Sequence, residues 1–190
     1  MNAAPLSVAF IPLVDAAPLI VAQEMGFARE EGLELNLLRA PSWSSARDML
    51  AFGRAEAAHM LSPVPVAMAL GIGGVASSIS ALMVTSLNGT VVGVSARLEA
   101  ELRAAGHGFG FSDAAGAGAA LVAAAHGRPL RIGVPFPFSM HAELLYYWLS
   151  ASGLPAPQTV EIRTVPPPLM ADAIAAEEID AFCVGEPWRS

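Results

Sequence analysis

The chain has 190 residues, 54% of them hydrophobic and 14% charged, with a formal net charge of −7. That much apolar material excludes disorder and suffices for one large domain or two small lobes. All of its basic residues are Arg, scattered without a basic stripe, which argues against nucleic acid and anionic membrane surfaces as partners.

The predicted elements begin with a buried strand over residues 6–11. A Pro-flanked turn follows, in which Asp15 is placed to cap the next helix. Apolar residues at helical spacing predict a helix over 19–30, stopped by Gly32. A strand over 33–38 leads into Pro41-Ser42-Trp43-Ser44-Ser45-Ala46-Arg47-Asp48. There Ser44 or Ser45 is expected to cap a helix that runs to Phe52. A strand over 57–61, a helix over 66–70 started by Pro63 and Pro65, and a strand over 79–84 complete a β-α-β-α-β order. Residues 85–90 form a break with Asn88-Gly89 at its centre.

The second half repeats the order. Strands are predicted over 91–95, 131–134, 160–165 and 181–184, with helices over 111–125, 140–151 and 168–177. Ser139 is the expected cap of the middle helix. Alternating strands and helices imply an α/β fold with parallel sheets. The last strand runs into Gly185-Glu186-Pro187-Trp188, which suggests an architecture that continues.

Cys183 is the only cysteine, so an internal disulfide and a cysteine metal cluster are excluded. Its apolar setting predicts a buried, inert thiol. Residues 1–7 lack a basic segment followed by an apolar one, and no apolar run is long enough to cross a membrane. The expectation is a cytoplasmic protein without membrane insertion, or a periplasmic one whose signal has been removed. No nucleophile elbow, phosphate loop or metal-spaced cluster is visible, and Gly106-His107-Gly108-Phe109-Gly110 lacks dinucleotide spacing. Neither enzymatic activity nor a cofactor is expected.

Trp43 is the leading candidate, an aromatic wall with an indole N–H donor just beyond a strand, where α/β proteins place ligands. Ser44, Ser45 and Ala46 offer amides at a helix N-terminus. Asn88 and Gly89 combine an amide donor with close backbone approach, although that dipeptide is also a common turn. His141 is an oxyanion donor expected to respond to pH near neutrality. His59 and Glu186 are weaker candidates. His59 suits a buried histidine bonded to backbone, and Glu186 suits a rim or structural bond. His107 and His126 are expected to be solvated.

Several blocks together resemble the nitrate/bicarbonate-binding proteins of ABC transporters and the related cytoplasmic nitrate sensor. They include Phe10-Ile11-Pro12-Leu13-Val14-Asp15, Gly26-Phe27, Glu31-Gly32-Leu33, Pro41-Ser42-Trp43 and Ala57-Ala58-His59-Met60-Leu61-Ser62-Pro63. Further on come Asn88-Gly89, Pro135-Phe136-Pro137-Phe138-Ser139-Met140-His141, Tyr147-Trp148-Leu149 and Phe182-Cys183-Val184-Gly185-Glu186-Pro187-Trp188. The resemblance implies a two-lobed type II periplasmic-binding-protein fold, with residues 1–85 as an incomplete lobe 1 and 86–190 as lobe 2 and its return crossing. It implies that Trp43, Asn88 (where the family has Gln) and His141 face a small oxyanion, nitrate or nitrite first, with bicarbonate, a sulfonate or another small organic ligand as alternatives. The family's nitrate binders add a Lys, and this chain has none. The implied partners are ABC-transporter membrane subunits or, for a sensor, an RNA-binding antiterminator. A thiamine-pyrimidine-synthesis-like enzyme is the rival on the same fold, and it relies on a Cys-rich segment that is missing here.

Overall fold

A computed structural model describes residues 4–72, 74–75, 77–87 and 89–185. Two compact units divide the chain, the first running to Gly89 and also taking in Gly185, the second spanning Thr90–Val184.

In the first unit a parallel three-stranded sheet has the order β2-β1-β3. β1 (Ala4–Phe10) lies at its centre and pairs with β2 (Leu33–Arg39) from Ala4↔Leu33 to Phe10↔Arg39. β3 is only Ala57–Ala58 and pairs with Val8 and Ala9. The helix predicted over 19–30 is two helices, α1 (Ala17–Glu24) and α2 (Phe27–Glu30). Gly26 separates them with φ 83°, a left-handed conformation that glycine adopts without steric cost. α3 (Trp43–Ala51) is capped by Ser42, whose side chain accepts from the Ser45 amide, so neither Ser44 nor Ser45 is the cap. α4 (Pro63–Ala69) starts with Pro in its first turn, earlier than expected.

The strand predicted over 79–84 is not formed. Leu82, Met83 and Val84 are exposed instead. An apolar run becomes a strand only when it pairs, and no ladder among the described residues includes this one, although β2 and β3 are edge strands.

The second unit carries a four-stranded sheet of order β4-β7-β5-β6, with β4 (Val91–Val94), β5 (Leu130–Val134), β6 (Val160–Thr164) and β7 (Ala181–Val184). It is mixed rather than parallel, because β4 runs antiparallel to β7 while β5 runs parallel to both β6 and β7. α5 (Ala96–Ala104) is missing from the sequence expectation. Its signals were present: Ser95 caps it, and Arg97–Glu101 and Glu99–Arg103 are i,i+4 pairs. α6 (Ala114–Ala125), α7 (Met140–Ala151) and α8 (Met170–Ala175) follow. α6 is capped by Asp113 and α7 by Ser139, the latter as expected.

The core of this unit joins Leu98 and Leu102 of α5, Leu121 of α6, Leu130 and Ile132 of β5, and Leu145 and Leu149 of α7. Cys183 lies within it, and burial pushes its thiol up to about 12, so it carries no thiolate at neutral pH.

One carboxylate ties the unit's edges together. The Asp180 side chain is 1% exposed and meets three arginines from different segments, Arg97 of α5, Arg128 of the loop after α6, and Arg131 of β5. Its Oδ2 also accepts from the Arg131 backbone amide at 2.9 Å. Burial alone would raise its pKa, but the hydrogen bonds and charge of Arg131, with Arg128, outweigh it and hold the carboxyl below the usual range. Replacing it by Asn keeps an oxygen that can accept from that amide but removes the charge opposite Arg131, whereas Arg97 and Arg128 retain Glu101. Asp180→Asn is expected to cost the second unit about 2–3 kcal/mol, below the full buried-pair figure because the arginines reach solvent. Chemical denaturation followed by circular dichroism measures this.

Candidate functional site

Three side chains of the first unit come together just beyond the carboxyl ends of its three parallel strands. Asp15 follows β1 on a single 3-10 turn (Val14–Ala16), Trp43 opens α3 after β2, and His59 is the first residue after β3. Parallel strands deliver their following turns to one edge of the sheet, which is why positions far apart in sequence meet there.

The Trp43 ring is 1% exposed, and its Nε1 has no hydrogen-bond partner. The His59 ring lies 6.0 Å from it between centroids, tilted by 49°. The His59 backbone amide donates to the Ala9 carbonyl at 2.8 Å, so the expected backbone bond exists at the amide. The ring itself is not so satisfied: Nδ1 has no partner, and Nε2 is 3.8 Å from Asp15 Oδ2. Asp15 Oδ1 is likewise buried without a partner. The N-cap of α1 is Ala16 rather than Asp15, contrary to expectation. Burial raises the Asp15 pKa, against the opposing pull of His59, and burial lowers that of His59, against the pull of Asp15.

The helix N-terminus beside Trp43 is less open than expected. The Ser45 amide is taken by Ser42 Oγ at 3.1 Å and the Ala46 amide by the Ser42 carbonyl at 3.0 Å. The hydroxyls of Ser44 and Ser45 both bond to Ser42 Oγ, at 2.9 and 3.0 Å. Ser44 therefore belongs to a serine cluster that fixes the turn carrying Trp43.

His141 sits in the first turn of α7 in the second unit, after β5, buried and with Nδ1 unpartnered. Burial pushes its pKa down to about 4, which overturns the expectation of a response near neutrality: the ring is neutral at pH 7. Gly89 has φ 84°, as a turn glycine does. Asn88 and Glu186 lie outside the described residues. His107 packs edge-on against Phe109 at 4.6 Å, and His126 ends α6 in a left-handed conformation. The Trp148 indole donates to the Ala114 carbonyl at 2.8 Å, a structural bond between α7 and α6.

The second unit also holds a cavity of about 380 Å³ among Val91, Val94, Leu98, Leu102, Phe109 and Trp148. That apolar lining does not suit a small oxyanion, which needs donors. No group of three or more His, Cys, Asp or Glu among the described residues is arranged to hold a metal.

The closeness of Asp15 to His59 was missed in the sequence, where a turn aspartate before a helix reads as a cap. The signal that could have found it is positional, since it is the first charged side chain beyond a central strand.

The buried, neutral His141 sets a pH dependence of stability. Its folded pKa is depressed, so the unfolded chain binds more protons below the ordinary value of 6.5. Stability of the second unit is expected to fall as pH drops from 6.5 toward 4, by up to about 3 kcal/mol. Denaturation midpoints of His141→Gln should lose most of that slope.

The whole chain, residues 1–190, matches the NMT1-like family. Over 188 residues it is 36% identical to the nitrate import ATP-binding protein NrtC of Synechocystis sp. (strain ATCC 27184 / PCC 6803 / Kazusa), covering 97% of this chain and 27% of that one. Over 186 residues it is 36% identical to the nitrate/nitrite binding protein NrtA of Nostoc sp. (strain PCC 7120 / SAG 25.82 / UTEX 2576), covering 95% of this chain and 40% of that one. The chain thus spans well under half the length of these curated relatives. The crystal structure of the periplasmic nitrate-binding protein NrtA from Synechocystis PCC 6803 superimposes with a TM-score of 0.80 and 28% identity, covering 98% of this chain and 48% of that one. The fold is that of type II periplasmic binding proteins, and the chain belongs to the NMT1-like family.

Proposed function

We propose that this chain is a solute-binding protein for a small oxyanion, nitrate first, serving an ABC-type importer rather than catalysing a reaction. The observation that carries this is the buried Trp43 indole N–H, unpartnered beside His59, whose Nδ1 also lacks a partner, beyond the strand ends. A desolvated N–H without an acceptor costs about 1–3 kcal/mol, and an anion oxygen removes that cost. His141 offers a donor of the same kind on the second unit. Asn88 and Gly89 stay in the proposal as an amide donor with a glycine that lets backbone come close, with Ser44 as a support of the Trp43 turn and Glu186 as a rim residue.

The likeness to NrtA supports nitrate as the first ligand to test, and it supports a periplasmic setting over the cytoplasmic one. It also favours transporter subunits over an antiterminator as partner. The thiol chemistry of a thiamine-pyrimidine-like enzyme is disfavoured by the buried Cys183. The proposed lobes, 1–85 and 86–190, stand close to the two units, whose boundary falls between Gly89 and Thr90 and the first of which also takes in Gly185.

Isothermal titration calorimetry against nitrate, nitrite, bicarbonate and an alkanesulfonate tests the proposal. Nitrate is expected to give the largest heat, and Trp43→Phe, which removes only the N–H donor, is expected to weaken it ten- to a hundredfold. A folded sample that gives no heat with any of the four overturns the reading.

A further inference from the structure

We propose that Asp15 and His59 make this site take up its anion together with one proton, which relieves the conflict between that anion and the Asp15 carboxylate. The proposal rests on the oxyanion reading above and deepens it.

The geometry carries the argument. Asp15 Oδ2 and His59 Nε2 stand 3.8 Å apart, and the Trp43 ring lies 6.0 Å from the His59 ring. Each of the three side chains has one buried polar atom without a partner, Asp15 Oδ1, Trp43 Nε1 and His59 Nδ1. The only basic side chains are arginines. On α3, Arg47 is paired with Asp48 at 2.7 Å. α4 and β3 contribute no charged side chain, and neither does the end of β1 at Ala9 and Phe10. Arg39 ends β2 and is exposed, and Asp15 is the charged group within ion-pair range of His59.

An anion placed against Trp43 would meet the Asp15 carboxylate at close range, and like charges repel strongly where water is scarce. Binding a proton to the pair removes the conflict, by neutralising the carboxylate or by charging the imidazole. The direction agrees with burial, which favours the protonated form of Asp15 and leaves His59 short of a proton until a negative charge arrives. Asp15 is one-third exposed, so the proton comes from solvent. The transfer is an addition of H⁺ to a carboxylate oxygen or imidazole nitrogen and needs no further reactant.

The test is nitrate calorimetry in two buffers of different ionisation enthalpy, cacodylate and bis-Tris, at pH 6.5 and again at pH 8. Neither buffer is a sulfonate that could compete. The heats are expected to differ between buffers by the equivalent of roughly one proton per nitrate, and the affinity to fall about tenfold per pH unit above the pair's titration. Asp15→Asn is expected to bind nitrate more tightly than the parent at pH 8 and to show no buffer dependence, an outcome that loss of a structural residue would not produce. His59→Gln, checked for folding by circular dichroism, should bind more weakly at pH 6.5 and also lose the buffer dependence. Intact nitrate binding with equal heats in both buffers overturns proton uptake and leaves the oxyanion reading standing. No nitrate heat in either buffer overturns both.

Discussion

A polar atom withdrawn from water must find a partner inside the fold, and that requirement separates what is structural in this chain from what is available for function. Asp180 meets it in full: three arginines and a backbone amide surround a carboxylate that is almost completely buried. Trp43, His59, Asp15 and His141 do not meet it, each leaving one buried nitrogen or oxygen idle. Folding that tolerates such losses at one or two kcal/mol each has to recover them elsewhere, and sites that later receive a ligand are where such losses are retained.

The placement of the idle atoms follows from topology rather than from any local motif. Because β1 lies between β2 and β3 and all three run parallel, the three succeeding turns open on the same edge. Each turn then presents its first substantial polar side chain. The serine cluster on Ser42 holds the Trp43 turn, and the short pairing of β3 with β1 brings His59 alongside. In the second unit the same logic puts His141 after β5, capped into position by Ser139, whose hydroxyl donates to Phe136 and accepts from the Ala142 amide.

Much of this was legible in the sequence. Residues 140–151 and 181–184 were read with the bounds that the structure shows, because a Ser cap, a Gly stop and a four-residue apolar run leave little ambiguity. The α/β class followed from alternation alone. Trp43, His59 and His141 could be singled out by residue type and position beyond strands. What escaped was non-local. The antiparallel entry of β4 depends on which edge is open, and whether the run at 79–84 pairs depends on contacts that residue type does not reveal. α5 was hidden by its weakly apolar, charge-rich sequence, although its cap and ion pairs were readable. The neutral state of His141 and the pairing of Asp15 with His59 depend on burial, which residue type does not reveal.

The burial of Cys183 in β7 has a consequence for chemical labelling. With its thiol pushed up to about 12 and no lysine among these 190 residues, neither a thiolate nor a lysine amine is available at neutral pH. Thiol- and lysine-directed reagents would therefore leave the side chains of this segment unmarked, and a fluorescent or affinity label would enter only at a cysteine or lysine introduced for the purpose.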